Sequence, residues 1–152
     1  MPTSFEGKVA VVTGAGGGIG EAVAHDLALN GARVLVVDVN GANAESVAHA
    51  IREQGREAVA FCADVSVLEQ SQAVVERAGQ LFGALHYAVN NAGISGRFDQ
   101  LEGIDIDEWR KVIGVNLDGV CFGMKFQLPA IEKAGGGGAF QQKSESSYLA
   151  TV

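Results

Sequence analysis

The chain has 152 residues, 47% of them hydrophobic and 19% charged, and 11 Lys and Arg against 18 Asp and Glu leave a net charge of -7. That is enough apolar material for one domain with a real core, and the acidic balance argues against a nucleic-acid backbone or an anionic membrane surface as partner. Met1 to Lys8 hold no apolar targeting core, and no later run approaches membrane-spanning length, so a globular cytoplasmic protein is expected.

Short β-branched runs alternate with helical patterns. Val9–Val12, Arg33–Asp38, Ala58–Cys62 and His86–Asn90 read as four strands. Between them, Ile19, Val23 and Leu27 form one apolar stripe, Ala44, Val47, Ala48 and Ile51 a second, and Val74, Ala78, Leu81 and Phe82 a third. Ser66-Val67-Leu68-Glu69 has the form of a capping box opening the third helix. A longer helix is expected to start near Asp105, to carry Trp109, Ile113, Leu117, Val120 and Met124 on one face, and to end near Pro129. Gly135–Gly138 then mark a turn or linker before a polar tail from about Phe140. This alternation implies an α/β fold, a doubly wound parallel sheet with helices on both faces, incomplete at its C-terminal edge. Cys62 and Cys121 are expected to be buried thiols, and His25, His49 and His86 show no metal-ligand spacing, so no metal site is expected.

The first strand runs into Thr13-Gly14-Ala15-Gly16-Gly17-Gly18-Ile19-Gly20 and then directly into a helix. Unpaired backbone N–H groups and the positive end of a helix dipole then converge on one point, where a phosphate can sit. The pattern is Gly14-x-x-x-Gly18-x-Gly20, not Gly-x-Gly-x-x-Gly. Some two dozen positions later, Asp38 ends the second strand, where a dinucleotide-binding unit places an acidic residue on the adenosine ribose. A carboxylate there accepts from the two ribose hydroxyls of NAD and repels the 2′-phosphate of NADP. Gly17, Val39 and Asn40 supply no compensating cation, which points to NAD.

Three motifs in order make the chain resemble the short-chain dehydrogenase/reductase family over roughly residues 5 to 139. Thr13-Gly14-x-x-x-Gly18-Ile19-Gly20 looks like its cofactor loop, Asp64-Val65 like its adenine-contacting pair, and Asn90-Asn91-Ala92-Gly93 like its fourth-strand signature. The resemblance implies a Rossmann-type sheet, with residues 1–139 as an NAD-binding domain. In that frame Asp64 accepts from the adenine amino group with the Val65 backbone beside it, and Asn91, Ala92 and Gly93 line the riboses, while Asn90 and Asn91 also have a structural reading as amides that satisfy neighbouring backbone. Asn116, on the apolar side of the long helix, must be hydrogen-bonded if buried. By resemblance it is the family's helix Asn, which distorts the helix and holds a water of the proton relay; the alternative is a structural amide satisfied by backbone. Trp109 and Phe122 read as core or subunit-interface residues, and by analogy the long helix suggests a homo-oligomer.

The family's chemistry is hydride transfer between a secondary alcohol or ketone and the nicotinamide, with a Tyr as acid/base, a Lys four residues on and a Ser at the substrate oxygen. Here Ala139-Phe140-Gln141-Gln142-Lys143 does not read as an apolar fifth strand, Ser144, Ser146 and Ser147 lack the family's neighbours, and Tyr148 is followed four residues later by Val152. A Tyr with an unassisted pKa of about 10 is a poor base at neutral pH. Residues 140–152 are therefore expected to be an atypical tail, and the chain to be the cofactor-binding part of an NAD-dependent oxidoreductase of impaired activity. The alternatives are a non-catalytic NAD-binding module or truncated fragment and, among enzymes, a 3-oxoacyl carrier-protein reductase-like protein.

Overall fold

The computed structural model describes residues 4–97, 100–142 and 148–151. Five parallel strands, β1 (Val9–Thr13), β2 (Arg33–Asp38), β3 (Ala58–Cys62), β4 (Tyr87–Asn90) and β5 (Gly138–Gln141), form one sheet, and β6 (Tyr148–Thr151) adds antiparallel to β5. The spatial order is β3-β2-β1-β4-β5-β6. The chain thus winds outward from β1 in one direction and then, from β4, in the other, which opens a crevice at the carboxyl ends of β1 and β4.

Burial on both faces explains why the central strands read as unbroken apolar runs. Ala10, Val12, Val34 and Val36 pack on one face with α1 (Gly18–Leu29) and α2 (Gly41–Glu53); Val9, Val11, Leu35 and Val37 pack on the other with α3 (Leu68–Phe82) and α5 (Gly119–Lys133). The second stripe, Ala44, Val47, Ala48 and Ile51, is buried as expected. The first is buried only in part. α1 meets the sheet most closely through Gly20, Ala24 and Ala28; Val23 and Leu27 pack at the edge of the same core and, with the exposed Ile19 and with Phe5, Tyr87, Val89 and Phe140, line an open apolar groove of about 660 Å³. The reason is proximity: a Cβ on Gly20 would collide with the Gly14 carbonyl, so only small residues fit between this helix and the strand.

Three further expectations are corrected. The capping box does not form: α3 starts at Leu68 with Val67 as its N-cap, so Ser66 lies one residue outside the capping position, and its Oγ donates to Asp64 Oδ1 at 2.6 Å. Gly138–Gln141 is a strand after all, bonded to β4 in the register Tyr87↔Gly138 to Asn90↔Gln141, with Ala139 buried and Phe140 partly open; backbone pairing outweighs its weak β composition. Both cysteines are exposed, and Cys62 lies at the carboxyl end of its strand, where its Sγ donates to the Val39 carbonyl at 3.4 Å. Among the described residues no helix is long and apolar enough to cross a membrane, and no cluster of His, Cys, Asp and Glu could hold a metal ion.

The long helix starts as expected, with Asp105 accepting from the N–H groups of Asp107 (2.8 Å) and Glu108 (3.3 Å). It is not one helix. α4 (Ile106–Ile113) passes into a π-turn, Gly114–Asp118, before α5 begins, and Trp109 and Leu117 are exposed.

At the opposite end of the sheet, His86 Nδ1 accepts the N–H of Val9 at 3.1 Å and ties the start of β1 to the approach to β4. Burial, then Lys8, then Arg33 lower its pKa from the usual 6.5. The folded state therefore resists the proton that the unfolded chain takes up below about pH 6.5, and stability falls as pH drops through that range. The melting temperature is expected to fall between pH 7.5 and 5.5, and His86→Asn, which keeps an acceptor without titrating, should flatten that fall. Equal falls in both proteins would rule out His86 as the cause.

Candidate functional site

The crevice at β1 and β4 is built mainly from backbone. Gly14 has φ +61°, a region that L side chains enter at a cost, and a Cβ there would lie 2.7 Å from the Cα of Ala92. The turn and the Asn91–Gly93 segment are therefore in direct contact. No side chain caps α1 at its N-cap Gly17, and nothing lies within 4 Å of where a Cβ of Gly17 or Gly18 would be. This open, uncapped helix start is a cradle whose donors suit a phosphate, so the residues present fit the pyrophosphate of a dinucleotide.

Asp38 closes one side of the cradle. Its Oδ2 accepts from Gly16 N–H at 2.9 Å and its Oδ1 from Asn40 N–H at 2.9 Å, and each oxygen keeps further acceptor capacity. A Cβ on Gly16 would lie 2.8 Å from Asp38 Oδ2, so glycine is what allows this contact. Asp64 stands next to it, since the N–H of Ala63 bonds to the Asp38 carbonyl. The Asp64 carboxylate accepts from Ser66 N–H (2.9 Å) and Oγ (2.6 Å), and its own N–H bonds to Gln70 Oε1 at 2.7 Å. Val65 rests against Gly119, where a Cβ would come within 2.8 Å of Val65 Cγ2. The start of α5 thus supports the Asp64–Val65 loop.

On the other side, β4 is stitched to the glycine turn. Thr13 Oγ1 accepts from the N–H groups of Asn91 (3.2 Å) and Ala92 (3.1 Å), and Asn91 Nδ2 donates to the carbonyls of Thr13 and Gly14, both at 3.1 Å. Asn91 is therefore a structural amide here. Asn90 differs from its expected role of serving nearby backbone: its side chain pairs with that of Gln127. Asn116 lies within the π-turn and closes a two-bond ring on Ile94, its Oδ1 accepting the Ile94 N–H at 2.8 Å and its Nδ2 donating to the Ile94 carbonyl at 2.9 Å. It is half-buried, and both of its amide atoms bond the Ile94 backbone. The helix distortion expected at Asn116 is present as the π-turn.

A cleft of about 630 Å³ runs along this side, with Ile19, Asn91–Ser95, Asn116, Leu117, Val120, Gln141 and Gln142 on its walls. Gly14, Gly18, Ile19, Gly20, Asp38, Asp64, Val65, Asn91, Ala92, Gly93 and Asn116 all gather at the carboxyl end of the sheet. Ser144, Ser146 and Ser147 lie outside the described residues. Sequence reasoning missed the two-bond acceptor role of Thr13, the Gln70 support of Asp64 and the partner of Asn90. A polar residue closing a run of valines, and a Gln one turn after Gly123 on a buried helix face, were the available signals.

The fold and its crevice define a Rossmann-type α/β protein. The chain also matches the short chain dehydrogenase family over residues 8–147, and it belongs to that family. It is 45% identical over 137 residues to a cyclohexanol dehydrogenase of Acinetobacter sp. (strain SE19), covering 90% of this chain and 55% of the relative. It is 41% identical to the short chain dehydrogenase/reductase astE of Aspergillus oryzae (97% of this chain, 60% of the relative) and 39% identical to a cis-4-hydroxycyclohexanecarboxylate dehydrogenase of Sinomonas cyclohexanicum (99% and 64%). The chain thus spans a little over half the length of these relatives. The family is one of oxidoreductases that generally use NAD(P).

Proposed function

We propose that residues 1–139 are the NAD-binding part of a dehydrogenase that oxidises an alicyclic secondary alcohol or reduces the matching ketone, working in the cytoplasm as a homo-oligomer. The observation that carries the reading is the Asp38 carboxylate, bonded to Gly16 and Asn40 at the edge of an uncapped helix start. In this reading the amides of Gly18, Ile19 and Gly20 bind the pyrophosphate, Asp38 takes the ribose hydroxyls, Asp64 and Val65 hold the adenine, and Asn91, Ala92 and Gly93 face the nicotinamide side. The nicotinamide, when bound, accepts or gives the hydride. Asn116 orients the Ile94 backbone along the cleft and places its amide where a relay water can bind. The apolar walls at Ile19, Leu117 and Val120 suit a ring such as those in the names of two relatives.

Proton transfer is the weak step of this reading. Within the 152 residues no Tyr is followed four positions later by Lys, since Tyr87 leads to Asn91 and Tyr148 to Val152. We therefore expect weak turnover by these 152 residues alone; the alternative reading is a non-catalytic NAD-binding module. Titration with NADH and NADPH tests the nucleotide reading. NADH should bind at least about tenfold more tightly, because a few kcal/mol of like-charge repulsion at Asp38 opposes a 2′-phosphate, and Asp38→Ser should narrow the difference. Tighter NADPH binding would overturn it and favour the 3-oxoacyl carrier-protein reductase alternative. Rapid oxidation of cyclohexanol by the 152-residue chain would overturn the expectation of weak turnover.

A further inference from the structure

One buried polar cluster is not used by the reading above. Asn90 ends β4 and Gln127 lies on α5; they are 4% and 2% exposed. Their side-chain amides form a closed ring, Asn90 Nδ2 donating to Gln127 Oε1 at 2.9 Å and Gln127 Nε2 donating to Asn90 Oδ1 at 2.8 Å. Room for it comes from Gly123, one turn earlier, where a Cβ would lie 2.8 Å from Asn90 Oδ1 and 2.9 Å from Gln127 Nε2.

An apolar contact lets a helix slide or turn while staying in contact. A reciprocal amide ring does not, because a small rotation of α5 leaves a buried donor and acceptor unpaired on each side. Both walls of the 630 Å³ cleft hang from this ring. On the strand side, the next residue is Asn91, whose bonds to Thr13 and Gly14 fix the Ala92–Ile94 segment. On the helix side, Val120 lies two turns before Gln127, and the π-turn with Asn116 directly precedes α5.

We infer that the Asn90–Gln127 amide ring is a positioning device that fixes the rotation of α5 relative to the end of β4 and so sets the two walls of the cleft. Neither residue touches a ligand; they act through Asn91–Ile94 and through α5. The ligand arm of the test rests on the dinucleotide reading, whereas the exchange arm does not.

Hydrogen exchange on the free 152-residue chain, read by mass spectrometry, should show amides of residues 91–95 and 114–120 exchanging at least about tenfold faster in Gln127→Met, with α2 and β3 unchanged. Gln127→Glu, which keeps an acceptor for Asn90 Nδ2, should fall between Gln127→Met and wild type, and it carries the exchange test if Gln127→Met fails to fold. NADH affinity should drop about tenfold in the variant while ADP affinity changes less than twofold, since ADP does not reach the nicotinamide side. Exchange that stays within twofold of wild type at 91–95, or that rises equally throughout the chain, overturns the inference, as does an equal loss of NADH and ADP. Wild-type chain that binds neither nucleotide would overturn the dinucleotide reading alone, and the exchange result would still decide the role of the ring.

Discussion

Gly14→Ala is expected to lose about 2–5 kcal/mol of stability and to weaken NADH binding by more than about 100-fold. Two costs combine. A non-glycine residue at φ +61° costs about 1–2 kcal/mol, and a Cβ 2.7 Å from the Ala92 Cα pushes on backbone, which has no rotamer to escape into, so an overpacking cost of about 1–3 kcal/mol is added. The displaced segment is the one that begins the far wall of the cleft. Gly17→Ala makes the contrast: its backbone is extended (φ 176°), and nothing lies within 4 Å of its Cβ position. That variant should melt within about 0.5 kcal/mol of wild type yet bind NADH less well, because its methyl group enters the space assigned to the pyrophosphate. Urea denaturation and nucleotide titration of both variants check this. A Gly14→Ala protein as stable as Gly17→Ala would disprove the account of the turn.

Thr13→Val should also be damaging, although it preserves shape. Thr13 is 4% exposed, and its Oγ1 accepts two backbone N–H groups, those of Asn91 and Ala92. A methyl group in its place leaves the Ala92 N–H without this acceptor and the Asn91 N–H with the Val89 carbonyl alone, at about 1–3 kcal/mol for the donor left unpaired. A loss of about 1–3 kcal/mol is expected, and Thr13→Ser should recover most of it. Equal denaturation midpoints for the Val and Ser variants would show that the hydroxyl carries no such burden.

The difference between these two residues shows what the sequence makes visible. Glycine spacing announces Gly14, Gly18 and Gly20, because few other sequences place so many glycines between a strand and a helix. The strands from Val9 and Arg33 were equally legible, since burial on two faces leaves little choice but apolar β-branched residues. Thr13 reads only as the residue before the motif, for its role depends on a strand more than seventy residues away. The same limit hid the Asn90–Gln127 ring and the small-residue face of α1, where closeness to the sheet outweighs hydrophobicity. β5 was missed because Gly138-Ala139-Phe140-Gln141 owes its extended form to pairing with β4 and not to its own side chains. The capping box failed by one residue, since α3 takes Val67 as its N-cap and leaves Ser66 to the Asp64 turn.

The spacing Trp109, Ile113, Leu117, Val120, Met124 looks like a straight helix, yet the π-turn at Gly114–Asp118 places an extra residue within it. Each residue of an α-helix turns the chain by about 100°. The wider π-turn absorbs that residue, so α5 keeps the phase it would have after an unbroken helix one residue shorter. Straightening the segment at its present length would swing everything after it by that angle; Gln127 would then leave Asn90, and Gly119 would leave Val65. The segment therefore works as a phase corrector: its widened turn keeps the part of the helix that holds Ile94 in step with the part that supports the Asp64–Val65 loop.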